Sequence, residues 1–356
     1  IFNYIIMKIL INTPRLIPHG GVANHYLGLK EYWSEDVLYN PIGKRNSKSG
    51  SGVFRLPINI IKFIYLLFTF KPDVVLLNPS LSRSAVVRDV IFLRIACFFK
   101  KRVAVFFHGF DYHSINHINI KKLTKQLNRT VCIFVLAEEF KDTVSSWGVN
   151  VPIYLATTKV DDKLIANFDI EKRTGKVNTI LFLARITESK GIFIALDAFK
   201  KLATKYSDLQ LRVVGNGPAL EQAIEKCKNE AIERVTFLGT LSGDKLISEF
   251  TTSDIYLFPT YHNEGMPTSI LEALAFGLPV ISRPVGGTKD FFINGRMGEV
   301  TDSLDAKDFA QLMEKYIQDK KLTKEVSQYN HQYAKDHFMA SKVAQRIEEH
   351  LIKSVL

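Results

Sequence analysis

Two glutamates, Glu264 and Glu272, bracket a nine-residue segment whose residue types suit a phosphorylated, hydroxyl-rich ligand. The segment follows the apolar residues 254–258 and opens a predicted helix that ends before Gly277. Carboxylates accept hydrogen bonds from hydroxyl groups, so one before the helix and one two turns into it suit such a ligand. Taken singly, each glutamate is equally well explained as a helix cap or a solvated helix position.

The residues between these glutamates predict an anion seat. A proline suits the first turn of a helix, and the first amides of a helix have no acceptor within it. Those amides bind phosphate. The residues concerned are Gly265, Met266, Pro267 and Thr268.

Two cations, Arg185 and Lys190, follow another predicted strand, residues 179–183, and precede a predicted helix over residues 191–206. Open α/β sheets bind ligands at the carboxyl ends of their strands. The arginine offers a planar fork and the lysine a mobile charge, which together suit a diphosphate. Each is equally an ordinary surface cation when considered alone.

Two glycine-containing turns follow further predicted strands. Gly215 begins a GxGP turn after residues 209–214, and residues 285–290 form a Gly-Gly loop after residues 280–282. The GxGP turn lacks the third glycine of a dinucleotide-binding loop. A tight turn explains both without a ligand.

Two loops stand out in the first half of the chain. Gly20 and Gly21 follow the predicted strand 7–12 and allow close approach of a ligand to the backbone. His108 and Asp111 follow the strand 102–107, where a histidine can transfer a proton or hydrogen-bond a sugar or phosphate. The alternative for His108 is a polar residue at a strand end.

Taken in order, these motifs resemble the family 4 retaining glycosyltransferases of the GT-B fold. The resemblance rests on Arg-x4-Lys at Arg185, the GxGP turn, and E-x7-E within EGxPxxxxEA at Glu264. The loop of Gly20 and Gly21 and the H-G-x-D loop at His108 extend it to the first half. The implied fold is α/β, with two Rossmann-like doubly wound domains facing a central cleft.

The resemblance implies a role for each matching residue. Arg185 and Lys190 bind the donor diphosphate together with the amides of residues 266–268, and Glu272 binds the ribose. Glu264 contacts the transferred sugar, and His108 lies beside that sugar. Gly215 is assigned to the donor site, and backbone near residues 237–241 to the base. Gly20 and Gly21 approach the diphosphate from the other domain.

The implied reaction moves a sugar from a nucleotide-diphosphate sugar, UDP in preference to GDP, to a saccharide or lipid-linked acceptor in cell-surface polysaccharide synthesis. Retention of the anomeric configuration is implied. No D-x-D pair occurs in the sequence, so fixed cations in place of a metal ion, and no cofactor, are expected. A nucleotide-sugar epimerase or hydrolase of the same fold, or a non-catalytic nucleotide-sugar-binding protein, remains an alternative. No GxGxxG follows either domain's first strand, which disfavours a dehydrogenase.

The 356 residues suit two domains. We expect an acceptor-binding domain over 1–160, a nucleotide-sugar-binding domain over 161–335, and a helix over 336–356 that returns to the first, as the resemblance implies. The polar stretch 157–176 is interpreted as the linker. The predicted strands are residues 7–12, 74–77, 102–107, 131–136, 153–155, 179–183, 209–214, 235–237, 255–258 and 280–282.

Charge is divided unevenly between the two halves. Residues 1–160 carry 21 Lys and Arg against 9 Asp and Glu, whereas the remainder carries 26 against 27. This asymmetry indicates an anionic partner for the first domain, and no nucleic-acid-binding motif is present. The apolar, basic stretches 55–70 and 86–102 suit helices lying on an anionic membrane, or equally buried helices with a basic rim.

Three scattered cysteines form neither a disulfide pattern nor a metal motif, which favours a reducing cytoplasm. We therefore expect a cytoplasmic protein, with peripheral association at the inner face of the cell membrane. No signal peptide is recognised, and residues 1–6 are interpreted as an extension ahead of the first strand.

Overall fold

Short apolar runs that alternate with helical segments build two parallel β-sheets. The computed structural model describes residues 6–16, 21–42, 55–79, 83–109, 115–262 and 264–355. The chain divides into a first unit, Ile1–Lys159 with Ala340–Leu356, and a second unit, Val160–Met339. The functional roles that the sequence assigns to the two domains stay predictions.

The first unit contains a six-stranded parallel sheet in the order β2-β1-β3-β4-β5-β6. Its central strands are continuous apolar runs because helices cover both faces of such a sheet. From β1 the chain adds β2 on one side of the sheet and then β3 to β6 on the other. The switch point between β1 and β3 is where ligands bind in doubly wound folds. The strands are β1 Lys8–Thr13, β2 Asp36–Pro41, β3 Val74–Leu77, β4 Arg102–Phe107, β5 Cys132–Val135 and β6 Ile153–Leu155.

Within the described residues, five helices connect these strands. The third helix packs against both the second and the fourth, so these three form one layer. The helices are α1 Gly21–Leu29, α2 Leu56–Thr69, α3 Arg83–Phe98, α4 Ile120–Leu127 and α5 Glu138–Ser146.

The second unit contains another six-stranded parallel sheet, in the order β12-β11-β10-β7-β8-β9. The adjacent strands β7 and β10 are its switch point: β8 and β9 follow on one side of β7, and β10, β11 and β12 continue on the other. The strands are β7 Thr179–Leu183, β8 Gln210–Val214, β9 Val235–Gly239, β10 Ile255–Phe258, β11 Val280–Ser282 and β12 Gly298–Val300.

Seven helices belong to this unit within the described residues. The sixth and eleventh helices cover the sheet around a core that includes Phe182, Phe199 and Tyr316. The helices are α6 Ile192–Ala203, α7 Leu220–Asn229, α8 Gly243–Thr252, α9 Thr268–Ala275, α10 Thr288–Phe291, α11 Ala306–Gln318 and α12 Lys320–His337.

The last helix, α13 Ala340–Val355, packs on α1 and so belongs to the first unit. Its Glu348 is buried, and the carboxylate accepts hydrogen bonds from the Ser34 hydroxyl at 2.7 Å and the Glu35 amide at 2.9 Å. These bonds satisfy a carboxylate that would otherwise be costly to bury.

The polar stretch 157–176 is more than the linker that its composition suggests. Arg173 within it is buried and donates to the carbonyl oxygens of Phe250 at 2.8 Å and Phe276 at 2.9 Å. This one buried arginine therefore fastens the stretch to the second unit.

Candidate functional site

Arg185 and Lys190 lie in the loop that follows β7, as the sequence predicts. Lys190 ends a short 3-10 turn, Glu188–Lys190, and its ammonium forms an ion pair with the Glu264 carboxylate. Arg185 is exposed, and no side-chain partner is found for it among the described residues. Thus one cation of the pair is held by a carboxylate and the other projects into solvent.

The GxGP turn lies directly against the loop of Arg185. A Cβ at Gly215 would lie 1.8 Å from the Ala184 carbonyl oxygen, and one at Gly217 would lie 2.2 Å from that of Ile186. The Ile186 amide donates to the Asn216 carbonyl at 3.0 Å. The two glycines therefore let the turn after β8 support the backbone on both sides of Arg185.

Glu264 and the start of α9 form the second side of this site. Pro267 is the N-cap of α9, one position earlier than the first turn predicted for it, and Gly277 follows the helix as expected. The amides of Thr268 and Ser269 open the helix, where amides have no intrahelical acceptor. Glu264 also accepts a hydrogen bond from the Thr260 hydroxyl at 3.4 Å.

The loop of Gly286 and Gly287 holds this segment in place, a role that the sequence left open. The Gly287 amide donates to the Gly265 carbonyl at 2.7 Å. Gly286 has φ +47°, and a Cβ there would lie 2.0 Å from the Gly265 oxygen and 2.4 Å from that of Glu264. Only a residue without a side chain fits this contact.

Tyr256, which sequence reasoning missed, lies beneath the site. Its hydroxyl is 2.7 Å from the Ser269 hydroxyl and 3.0 Å from the Leu183 carbonyl oxygen, so it joins the end of β7 to the first turn of α9. Burial raises the pKa of Tyr256, and the nearby charges of Glu272 and Glu264 add to the effect. Both predicted carboxylates thus lie near one buried hydroxyl.

The second unit therefore brings Arg185, Lys190, Glu264 and the start of α9 to the carboxyl ends of β7 and β10. Glu272 lies on α9 and is partly buried. Cations and helix amides bind phosphate, and the carboxylates accept hydrogen bonds from hydroxyls. The arrangement can hold an anionic, hydroxyl-bearing ligand.

In the first unit, His108 follows β4 and joins a series of hydrogen-bonded polar side chains. Its Nε2 is 2.9 Å from the Asn78 amide oxygen, which also accepts from the Tyr26 hydroxyl at 2.7 Å. The Asn78 amide nitrogen donates to the Asn12 carbonyl at 2.9 Å, which fixes the orientation of the amide. Nε2 therefore carries the proton of a neutral ring, and Nδ1 is the acceptor.

The protonation of His108 follows from its surroundings. The ring stacks on Phe106, with centroids 3.9 Å apart, and meets the buried His25 edge to face at 5.0 Å. Burial lowers the pKa of His108 to about 3. Burial also lowers the pKa of His25 well below its usual value, and the charges of His108 and Lys159 lower it further.

Some predicted residues of the first unit are not tested by this geometry. Gly20 and Asp111 lie outside the described residues. Gly21 opens α1, and a Cβ there would meet nothing within 4 Å. Crowding around Gly21 therefore does not by itself require a glycine.

Metal-ligand clusters and membrane-spanning helices can be assessed in the part of the chain that the structure describes. In that part, no three His, Cys, Asp or Glu side chains come together in a group suited to a metal ion. No helix there combines the length and apolarity needed to cross a bilayer.

Comparison with known proteins extends these observations. The sequence model of the family "Glycosyl transferases group 1" matches residues 165–333. The chain is 25% identical over 237 residues to the capsular polysaccharide biosynthesis glycosyltransferase CapM of Staphylococcus aureus, covering 65% of this chain and 60% of CapM. It is 33% identical to the 2-deoxystreptamine glucosyltransferase of Streptomyces kanamyceticus, covering 40% of this chain and 35% of that enzyme. Relative to such curated relatives, the chain spans between about a third and 60% of their length.

Solved structures share the fold over nearly the whole chain. A glycosyltransferase from Rickettsia africae superposes with a TM-score of 0.77 at 18% identity, covering 99% of both chains. Anabaena Alr3699/HepE in complex with UDP gives 0.75 at 16% identity, covering 98% of this chain and 100% of its own. The chain therefore has the GT-B fold, and its residues 165–333 match the glycosyl transferases group 1 family.

Proposed function

We propose that this protein is a family 4 retaining glycosyltransferase that moves a sugar from a nucleotide-diphosphate sugar to a hydroxyl of a saccharide or lipid-linked saccharide. The observation that carries the proposal is the meeting of three motif residues, Arg185, Lys190 and Glu264, at the carboxyl ends of β7 and β10. Lys190 and Glu264, 74 positions apart, form an ion pair there. A diphosphate next to a sugar needs such neighbouring cationic and hydrogen-bond-accepting groups.

In this proposal the donor binds to the second unit. Arg185 and Lys190, with the amides of Met266 and Thr268, bind the diphosphate. The ammonium of Lys190 has three donors, so it can keep Glu264 and still contact a phosphate oxygen. Glu264 accepts from a hydroxyl of the transferred sugar, and Glu272 accepts from the ribose. Gly215 supports the backbone of Arg185.

The first unit supplies His108, Gly20 and Gly21 in this proposal. A neutral His108 whose Nε2 is bonded to Asn78 presents Nδ1 as an acceptor for a sugar hydroxyl. A ring with a pKa of about 3 would be protonated by the acceptor only at high cost, so it suits hydrogen bonding better than proton removal. We assign His108 to orienting the transferred sugar.

The bond that breaks joins the anomeric carbon of the sugar to the diphosphate oxygen. Negative charge grows on the departing diphosphate, and Arg185, Lys190 and the α9 amides stabilise that charge in the transition state. In a retaining reaction the acceptor hydroxyl attacks from the side of the leaving group, and its proton passes to a phosphate oxygen. We propose that these fixed charges serve without a metal ion or another cofactor.

Names of relatives support the finer parts of the proposal. The solved structures of HepE contain UDP, UDP-glucose, or UDP with glucose, which favours UDP over GDP as the carrier. CapM is named for capsular polysaccharide and WcaL for colanic acid biosynthesis. We therefore propose a role in cell-surface polysaccharide synthesis, in the cytoplasm at the inner face of the cell membrane.

Ligand binding tests the donor site directly. Thermal shift and titration calorimetry with a panel of nucleoside diphosphates and nucleotide sugars should give the largest response for UDP compounds. Arg185→Ala and Lys190→Ala should each abolish most of that response while the unliganded protein unfolds as before. Lys245→Ala, an exposed lysine of the same unit, is the matched control and should bind as the parent does.

Product analysis tests the reaction. With the preferred donor and a saccharide acceptor, NMR should show a product with the donor's anomeric configuration. An inverted product would refute the retaining assignment. Slow donor breakdown that no acceptor changes would indicate a hydrolase or epimerase instead.

A further inference from the structure

The second helix of the first unit carries an apolar stripe on its exposed side. Ile58, Ile61, Tyr65 and Phe68 expose 58 to 68% of their surface. At 100° per residue these four positions fall within an arc of roughly 80°. Large apolar side chains are normal on protein surfaces when single, but a continuous row of them marks an interaction surface.

The opposite side of α2 accounts for why the helix forms at all. Phe63 and Leu67 are buried, and the Phe63 ring packs edge to face on Phe92 of α3 at 5.0 Å. The sequence allowed either a buried helix or a membrane-facing one. The structure gives α2 one buried side and one exposed apolar side.

The stripe continues onto the end of α3. The Phe68 ring lies 5.0 Å from that of Phe99, which lies 5.2 Å from Phe98. Phe98 is 78% exposed. We call Ile58, Ile61, Tyr65, Phe68 and Phe98 the apolar stripe.

The sequence segment that contains the apolar stripe is rich in cations. Residues 55–102 carry nine Lys and Arg and two Asp. Asp89 is buried in an ion pair with Arg88, and the exposed Asp73 accepts from the Lys8 amide at 2.8 Å, so the segment keeps a clear excess of positive charge. The exposed cations nearest in sequence to the stripe are Lys62, Lys71, Arg94 and Lys100.

We propose that the apolar stripe inserts into the interface of an anionic lipid bilayer, with these four cations on the lipid phosphates. The inference rests on the proposed membrane location and names the surface that would serve it. A second copy of this chain is the competing occupant. An isologous dimer through this surface would bring two sets of cations together, and their repulsion would oppose association. An anionic bilayer would instead attract the same cations.

The energetics give measurable expectations. Each cation near an anionic leaflet contributes roughly a fivefold gain in partitioning at physiological salt, and the gain decreases as salt rises. Carboxylates in the stripe would have to enter the interface beside negative phosphates. We expect Ile61→Glu combined with Phe68→Glu to weaken vesicle binding at least tenfold.

The test is co-sedimentation of the whole chain with vesicles of phosphatidylglycerol and phosphatidylcholine, against phosphatidylcholine alone. The parent should bind the anionic vesicles preferentially, and the Ile61→Glu/Phe68→Glu variant should not. Ile293→Glu combined with Leu304→Glu, at two exposed apolar positions of the second unit, is the matched control and should bind as the parent does. Lys62→Glu should weaken binding more at low salt than at high salt.

Three results would overturn the proposal. The parent could fail to prefer anionic vesicles, or the stripe variant could bind as well as the control. Alternatively, sedimentation equilibrium could reveal a dimer that only the stripe variant dissociates. Titration of the same variants with UDP separates this from the transferase proposal, because the stripe is remote in sequence from the donor residues and should leave UDP affinity unchanged.

Discussion

Replacing Gly286 with alanine should disturb the donor site without replacing a predicted ligand-binding residue. The new Cβ would lie 2.0 Å from the Gly265 carbonyl oxygen and 2.4 Å from that of Glu264. Ordinary carbon–oxygen contacts are about 3.3 Å or longer, so one of the two loops must move by about 1 Å. The movement would also lengthen the hydrogen bond from Gly287 to Gly265.

The size of the effect follows from these contacts. Alanine at φ +47° costs about 1–2 kcal/mol of unfolding free energy, and the weakened hydrogen bond adds about 1 kcal/mol. A misplacement of about 1 Å near the reacting atoms can reduce turnover roughly 100-fold. Gly243→Ala is the matched control, because Gly243 has φ +57° and nothing within 4 Å of a new Cβ.

Chemical denaturation and calorimetric titration with UDP measure the two effects separately. Both variants should lose stability, and Gly286→Ala should lose about 1 kcal/mol more. Only Gly286→Ala should weaken UDP binding and sugar transfer. If the two variants bind UDP equally and transfer sugar equally, the loop of Gly286 does not position Glu264, and the reasoning fails.

Three further predictions concern charge and hydrogen bonding. Glu264→Gln should tighten UDP binding several-fold in calorimetry, because it removes a negative charge that neutralises Lys190, and should nearly abolish transfer; weaker binding would contradict this. His108 has a pKa of about 3, so no histidine titration should appear in the activity profile between pH 5 and 8. In the unfolded chain His108 titrates near pH 6.5. Above that pH it is neutral in both states, so its contribution to the unfolding free energy is fully present. The contribution of His108 should fall by about 1.4 kcal/mol per unit as pH decreases toward 3. The unfolding free energy of His108→Gln should therefore decrease less steeply by that amount, while the loss due to His25 remains. Tyr256→Phe should lower the unfolding free energy by about 1–3 kcal/mol, because Ser269 and a backbone carbonyl lose a partner; an unchanged melting temperature would contradict it.

The central strands could be predicted because burial on both faces makes them continuous apolar runs. Six of the ten predicted strands have the observed bounds, among them Val74–Leu77 and Ile255–Phe258. The two missed strands, Asp36–Pro41 and Gly298–Val300, are edge strands. One contains Asp, Asn and Pro and the other has three residues, so neither has the composition of a strand.

The site was predictable as far as its residues belong to motifs. Lys190 and Glu264 were singled out by spacing, and they form an ion pair. Tyr256 was not, because a tyrosine in an apolar strand has no distinguishing neighbour in sequence. Asn78 was missed similarly: its contact with His108 exists only because β3 and β4 are adjacent in the sheet.

The helices of the first unit show a different limit. Residues 55–70 are so apolar that the sequence could not separate a buried helix from an exposed one. Only the packing of Phe63 against α3 establishes which side of α2 faces the core. Periodicity in such a segment is hidden because both sides carry the same residue types.

Because α13 returns to the first unit, the second unit is inserted in sequence between two parts of the first unit. The chain leaves the first unit after Lys159 and re-enters it at Ala340, and Val160 pairs with Met339 where the inserted segment begins and ends. On a ribosome, every residue of the second unit emerges before Glu348, whose carboxylate completes the first unit. The hydrogen bonds of Ser34 and Glu35 would thus form only after the whole second unit has been synthesised.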